Sequence, residues 1–256
     1  MPGYIKYEQP LNERVRTFLR LEFLFNMIGY HEKNLSEPDI REILRNLFEV
    51  TDLISRTDIK GDLIKELERQ CATLEGLQNR PGVDQRRLDS VLEDIKSCLQ
   101  ELRGGQYQPG QGMRQDELLT VIKQRSSMPG GTCNFDMPSY HYWLHRSHDE
   151  HMTRLQEWQG DLAVIRDGVS LALHLIRNRS KHTSETAEKG FFQRNLEPAS
   201  ACHMIRVLLP ERSACYPEIS GGKHRFSVRF MEQPDTAQRP VQVTRDIQFE
   251  LHCCLL

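Results

Sequence analysis

Apolar positions in the first two thirds of the chain recur every three or four residues, the spacing of one buried helical face. Leu11, Val15, Phe18, Leu21, Phe25 and Ile28 define the first such face, after an extended Tyr4-Ile5-Lys6-Tyr7 segment that ends at Pro10. A second helix opens at Ser36, with Pro38 in its first turn and Asp39 three residues on, a weak capping box. It carries Ile40, Ile43, Leu44, Leu47 and Ile54. A third starts at Thr57-Asp58 and turns Leu63, Leu67, Cys71 and Leu74 inward. Arg80-Pro81-Gly82 is a turn, and Asp84 is an N-cap for a fourth helix. Leu88, Val91, Leu92, Ile95, Leu99 and Leu102 form its stripe, and Gly104-Gly105 stops it. Gln106 to Gly112 reads as a polar loop. A fifth helix carries Leu118, Leu119, Val121 and Ile122 and closes before Pro129-Gly130-Gly131.

Further on, Asn134 to Asp136 and Tyr140 to Leu144 have the look of short strands, although Tyr140 to His145 fits a helical turn equally well. The longest helix is expected over about His148 to Arg179. Its Leu155, Trp158, Leu162, Ile165, Val169, Ala172 and Ile176 alternate spacings of three and four, a heptad seam. Such a seam serves either as a core helix of a bundle or as a dimer contact. From about Lys181 the period changes to two, in His203 to Leu209, Arg225 to Met231 and Ile247 to Leu251, with Glu232 to Pro240 as a hairpin loop between the last two. Helices first and strands afterwards predict an α+β fold. The expected division is a mainly α-helical domain over residues 10–180 and a smaller antiparallel β-domain over 181–254, joined by an N-terminal strand at 3–8.

Composition narrows the classes. With 256 residues the chain has room for one large domain or two smaller ones. Hydrophobic residues at 38% and charged residues at 27% suit a soluble globular protein. The formal net charge of −2 provides no global basic field for nucleic acid, so charge-driven binding must come from a local patch. The longest apolar stretch, Leu19 to Ile28, is broken by Arg20, Glu22 and Asn26, and the N-terminus lacks signal-peptide shape. A cytoplasmic protein is expected. Seven cysteines at irregular spacing, without a Cys-x-x-Cys, read as reduced thiols, several of them packed as small apolar groups.

Candidate chemistry is sparse. Pro129-Gly130-Gly131-Thr132 lacks the lysine and spacing of a phosphate loop and reads as a turn. His141, His145, His148 and His151 are dense, but Tyr142 stands where a metalloprotease helix needs glutamate. In a strand, His141 and His145 would be about 13 Å apart. Surface or interface histidines are the better reading. No Gly-x-Ser-x-Gly occurs, and Glu66, Glu68, Asp149 and Glu150 fit solvated helix faces. No catalysis, cofactor or metal is expected. The informative segment is Lys223-His224-Arg225-Phe226-Ser227-Val228-Arg229-Phe230-Met231. Alternation buries Phe226, Val228 and Phe230 and lines the other face with Lys223, Arg225, Ser227 and Arg229. Three cations over roughly 20 Å repel one another unless anions compensate. The compensation is either a cross-strand carboxylate such as Glu250 or an acidic partner. Arginine's paired donors suit a carboxylate-bearing peptide. A nucleic-acid-binding module using residues 223–229 is the alternative, disfavoured by the near-neutral charge and the lack of interleaved exposed aromatics.

Several segments carry a family resemblance: Tyr7-Glu8-Gln9-Pro10-Leu11-Asn12-Glu13, Arg16 to Leu24, Leu63 to Gln70, Pro81-Gly82-Val83-Asp84-Gln85, Gln124 to Gly131, Trp143-Leu144-His145, and Tyr216 to Gly221 running into the basic strand. In their order and coverage the chain resembles the ZapD family. The resemblance implies an α-helical domain plus a β-domain, a homodimer, and a basic pocket for the C-terminal tail of the tubulin-like protein FtsZ. It implies a division-ring protein at midcell that cross-links FtsZ filaments. Carried over position by position, it puts Arg56, Arg225 and Arg229 in that pocket, with Lys223 and Arg125 as weaker members. Glu117 stands where some relatives carry arginine, which implies a weaker positive field on that side.

Overall fold

The computed structural model describes residues 3–197, 202–222 and 224–255. The chain is α+β and divides into two compact units, residues 20–172 and residues 1–19 with 173–256. Helices α1 (Glu13–His31), α2 (Glu37–Arg56), α3 (Ile59–Glu75), α4 (Gln85–Arg103), α5 (Gln111–Gln115), α6 (Glu117–Ser126), α7 (Pro138–Leu144), α8 (His148–Gly160) and α9 (Ala163–Asn178) follow one another, and the division falls inside α1 and α9.

The helix starts are local chemistry. Ser36 and Asp39 close a reciprocal capping box on α2, with Pro38 in its first turn. Asp58 accepts from the Gly61 N–H at 3.0 Å and Asp84 from the Arg87 N–H at 3.2 Å, capping α3 and α4. Ser147 and Glu150 repeat the box on α8. The buried faces follow the apolar spacing: Ile40, Ile43, Leu44, Leu47 and Val50 on α2, and Leu88, Leu92, Ile95, Leu99 and Leu102 on α4.

Three expectations are corrected in the helical part. The strands near 134–144 do not form: Pro138 opens α7, so the helical alternative for Tyr140 to His145 is the right one. The polar loop before α6 contains the five-residue α5. The single helix over 148–179 is two helices. Tyr107 donates its hydroxyl to the Asp161 carbonyl at 2.9 Å, and the Asp161 carboxylate accepts the Gly112 N–H at 2.6 Å. Asp161 is thus turned outward to the preceding loop, and Leu162 N–H makes a tight-turn bond to the Gln159 carbonyl instead. Every seam residue from Leu155 to Ile176 is 2% exposed or less. The seam is core, and its reading as a dimer contact is withdrawn.

The other unit is a pair of antiparallel sheets. The first has the order β1-β4-β8-β2, from β1 (Tyr4–Pro10), β4 (Cys202–Pro210), β8 (Ile247–Leu255) and β2 (Ser180–Ala187). The second has the order β3-β6-β5, from β3 (Phe191–Asn195), β6 (Arg225–Glu232) and β5 (Tyr216–Gly221), and the two-residue β7 (Val241–Gln242) also pairs with β6. One apolar cluster lies between them: Ile205, Val207, Phe249 and Leu251 from the first sheet, and Phe226, Val228 and Phe230 from the second. Phe249 packs edge-on against Phe192 at 5.4 Å and tilted against Phe230 at 5.1 Å. The hairpin after β6 therefore closes on β7, not on the last long strand, which crosses to the other sheet.

The opposite face of the first sheet carries a polar row in register: Glu8 opposite Arg206, Arg206 opposite His252, and His252 opposite His182. Arg177, near the end of α9, reaches this row through Glu8. None of the seven cysteines is in a disulfide.

Candidate functional site, a basic strand face

Strand β6 alternates as its sequence requires. Phe226, Val228 and Phe230 are at most 1% exposed, while Arg225 and Arg229 project to the other side and are exposed. The two arginines are four residues apart, about 14 Å along an extended strand. Neither forms an ion pair among the described residues, although both sit on the same open face. Lys223, the third expected cation of this face, lies outside the described residues.

The neighbours of β6 define what the face offers. Arg229 is opposite Phe191 on β3 and Glu218 on β5, and Arg225 is opposite Asn195. Glu218 is the carboxylate in cross-strand register with the basic face. Glu250 is not: it stands on β8 between Ser184 and Leu208, in the other sheet. The β5–β6 hairpin is tight, with the Gly222 N–H bonded to the Arg225 carbonyl at 3.0 Å. A Cβ on Gly221 would come within 2.6 Å of Leu11 Cδ2 and 3.1 Å of Phe226 Cβ, so a larger residue there would have to displace the Leu11 side chain. Beside this hairpin is an open cleft of about 390 Å³, lined by Gln193, Ser220, His224, Arg225 and Ser227. Hydroxyl, amide, imidazole and guanidinium groups together make it a polar, cationic recess. Gln193 was not legible as a member, because β3 is short and its Phe-Phe-Gln-Arg-Asn pattern does not declare a strand. His224 lies inside the basic segment but carries no signal of its own.

Arg56 and Arg125 belong to the helical unit. Arg56 is exposed in the last turn of α2, and Arg125 is half-buried in the last turn of α6. A cation at a helix C-terminus is stabilised by the backbone dipole. Neither arginine forms an ion pair among the described residues. Their neighbours are compensated: Lys123 of α6 binds Asp52, and Arg45 of α2 is 3.5 Å from Glu42. Glu117 is exposed in the first turn of α6, where the same dipole favours an acid.

The histidine cluster separates into two environments. His141 on α7 and His145 at its C-cap hold tilted rings with centres 4.4 Å apart, and His145 Nδ1 is 2.9 Å from the His141 carbonyl oxygen. His151 is buried, 2.9 Å from the Trp143 carbonyl oxygen. Among the described residues no three His, Cys, Asp or Glu side chains converge as a metal site. Among them also, no helix is long and apolar enough to cross a membrane.

Known proteins resemble this chain across both units. A family model described as "ZapD: Cell division protein" matches residues 19–229. Proteins named "Cell division protein ZapD" are similar along the whole chain. The one from Methylococcus capsulatus is 40% identical over 256 residues, covering 100% of both chains. That from Nitrosomonas eutropha is 39% identical over 253 residues, covering 98% of this chain and 100% of its own. That from an Enterobacter species is 37% identical over 254 residues, covering 99% and 100%. Full-length identity at this level, with the family model spanning both units, places the chain in the ZapD family of cell division proteins.

Proposed function

We propose that this cell division protein binds the acidic C-terminal tail of FtsZ on the face of β6 and, as a homodimer, cross-links FtsZ filaments at the midcell ring. The observation that carries this reading is the exposed pair Arg225 and Arg229, without ion partners among the described residues, beside a polar cleft of about 390 Å³. Like charges on one strand face cost stability unless an anion arrives. A peptide carboxylate meets guanidinium groups with paired, charge-assisted bonds. Arg56, Arg125 and Lys223 are further tail-binding residues in this proposal. The role is structural and cytoplasmic, and it needs neither catalysis nor a bound cofactor or metal.

Cross-linking requires two tail sites in one particle. Bivalency multiplies weak single contacts without new chemistry. With the Leu155–Ile176 seam used up inside the chain, self-association needs another surface. Phe23 and Tyr30, seven residues apart on α1, are 61% and 62% exposed. Exposed aromatics on one helix face are what a self-contact would bury. The test is co-sedimentation with FtsZ filaments alongside sedimentation velocity of the protein alone. Bundles in the pellet and a species of twice the chain mass are expected. A monomer at micromolar concentration, or retention of duplex DNA with no FtsZ in the pellet, would overturn the reading.

A further inference from the structure

Two of the seven free thiols are neighbours across a strand pair at one end of the sandwich. Strand β4 begins at Cys202 and runs antiparallel to β8, which ends at Leu255. The register pairs Ile205 with Cys253 and Met204 with Cys254, then shifts, so that Cys202 comes opposite Leu255. Residues two apart in a strand share a face, so Cys202 is brought to the same inner face as Cys253. Cys253 is part of the sandwich core there, and Cys202 packs against it, half-buried at the margin. The Cys202 thiol donates to the Met204 carbonyl at 3.5 Å, at the margin where Cys253 enters the core.

A cation faces the pair from the second sheet. Arg194 of β3 is opposite Phe226, an inward position, and its guanidinium bonds Glu185 of β2 at 2.5 Å; its charge favours the Cys253 thiolate, and that of Glu185 opposes it. The Cys253 thiol is held below its ordinary value, first by the neighbouring Cys202 thiol, against the effect of burial, and then by Arg194. Cys202 is pushed the other way by the neighbouring Cys253 thiol and by burial. Burial first, with Glu8 adding to it against Arg206, raises Cys254 to about 12, and burial with Glu101 and Asp167 raises Cys98 to about 11. A thiol whose charged form is favoured, with a cation on its side of the core and a second thiol across the strand pair, is the arrangement of a reactive and a resolving cysteine.

We propose that Cys253 and Cys202 form a peroxide-sensitive dithiol, with Cys253 the attacking sulfur, Arg194 the cation that faces it and Cys202 the resolving thiol. The Cys253 thiolate attacks one oxygen of hydrogen peroxide, the O–O bond breaks, and the hydroxide released takes a proton to become water. Cys253 is left as sulfenic acid. The Cys202 sulfur then attacks the Cys253 sulfur, and its proton leaves with the departing hydroxide as a second water. One peroxide is reduced to two waters while two thiols become one disulfide, which ties β4 to β8.

The reduced full-length protein, treated with one equivalent of hydrogen peroxide near neutral pH, should lose two of its seven thiols. Peptide mapping after alkylation in denaturant should find the Cys202 and Cys253 peptides linked, and dithiothreitol should reverse the link. Because Cys253 and Cys254 share a peptide, Cys254→Ser must keep the disulfide and Cys253→Ser must abolish it. Cys202→Ser should stop at a sulfenic acid on Cys253 that dimedone captures. Arg194→Gln should slow the oxidation at neutral pH by at least about fivefold and recover at higher pH, which general loosening of the fold would not do. Should Arg194→Gln fail to fold, the wild-type rate of Cys253 alkylation by iodoacetamide against pH takes its place, with a midpoint below that of the other thiols expected. Seven thiols intact after peroxide, a disulfide through Cys254, or equal sensitivity in Cys253→Ser would each overturn the proposal.

Discussion

Glu8 of β1 accepts both arms of the Arg177 guanidinium, at 2.9 and 2.8 Å, and also lies 2.9 Å from Arg206 Nε. One carboxylate thus fastens the first strand to the end of α9 and to β4, across a sequence separation of 169 residues. Burial would raise its pKa, but the bonds and charges of Arg177 and Arg206 outweigh that and hold it below the usual carboxylate value of 4.5. The unfolded chain therefore takes up a proton that the folded chain refuses. Stability from Glu8 is present above about pH 4.5 and is lost as pH falls through the lower folded value. Glu8→Gln should lower stability near neutral pH by about 2–3 kcal/mol, since a half-buried charge pair is broken. The wild-type and Glu8→Gln melting temperatures, followed from pH 7 to pH 2, should converge as the acid limit is approached. Parallel curves would show that the pairing does not stabilise the fold.

Phe226 anchors the inner face of β6. Its ring is 6.1 Å from that of Phe192, which meets Phe249 in turn at 5.4 Å. Phe226→Ala removes a side chain that is 1% exposed, and a cavity of that kind costs about 3–5 kcal/mol. Urea unfolding should report the loss as a lower midpoint with an unchanged slope. A cost under about 1 kcal/mol would mean the sheets close over the gap, contrary to close packing.

Asp116 holds together two helices of the other unit. One oxygen caps α6 by accepting the Leu119 N–H at 2.9 Å. The other accepts the Trp158 indole N–H at 2.9 Å and the Arg154 guanidinium at 2.5 Å, both on α8. Asp116→Ala removes the cap and leaves a buried indole donor without its acceptor, for about 2–4 kcal/mol together. Trp158→Phe, which removes the indole donor and part of the buried ring but keeps the cap on α6, should cost less. Equal losses in the two variants would place the effect in ring packing instead of the carboxylate.

Much of this architecture was legible because local rules and global packing agree. The capping box at Ser36 and Asp39, the caps at Asp58 and Asp84, and the alternation from Arg225 to Met231 are each set by a few adjacent residues. What was not legible depends on partners distant in sequence. The break between α8 and α9 is made by Tyr107 and Gly112, some fifty residues upstream of Asp161, and the apolar spacing runs across it undisturbed. Strand β2, Ser-Lys-His-Thr-Ser-Glu-Thr-Ala, is polar because it edges its sheet with one side half-exposed, so hydrophobic alternation is missing. The same holds for the neighbours of the basic face. Glu250 resembled a cross-strand partner by proximity in the chain, whereas the sheet order brings Glu218 opposite Arg229 and sends Glu250 to the other sheet.

Arg225 and Arg229 should carry the interaction that Phe226, Val228 and Phe230 merely support. Changing both to glutamate leaves the buried side of β6 untouched, so circular dichroism and the melting temperature should stay near wild type. Losing a charge-assisted bond costs about 1.5–3 kcal/mol, and a carboxylate facing an acidic tail adds repulsion. Two sites then weaken a single tail contact by at least about a hundredfold, at 1.4 kcal/mol per tenfold. Salt should imitate the mutation, because the Debye length falls from about 10 Å at 0.1 M to about 3 Å at 1 M. Glu218 supplies the internal control. Opposite Arg229 in register, it competes with an incoming carboxylate, so Glu218→Gln should tighten binding modestly while the double reversal abolishes it. The measurement is fluorescence anisotropy of a labelled FtsZ C-terminal peptide against the three proteins, at both salt concentrations. A folded double mutant that binds as wild type does would move the tail site off β6, and Arg56 with Arg125 would then be the pair to reverse.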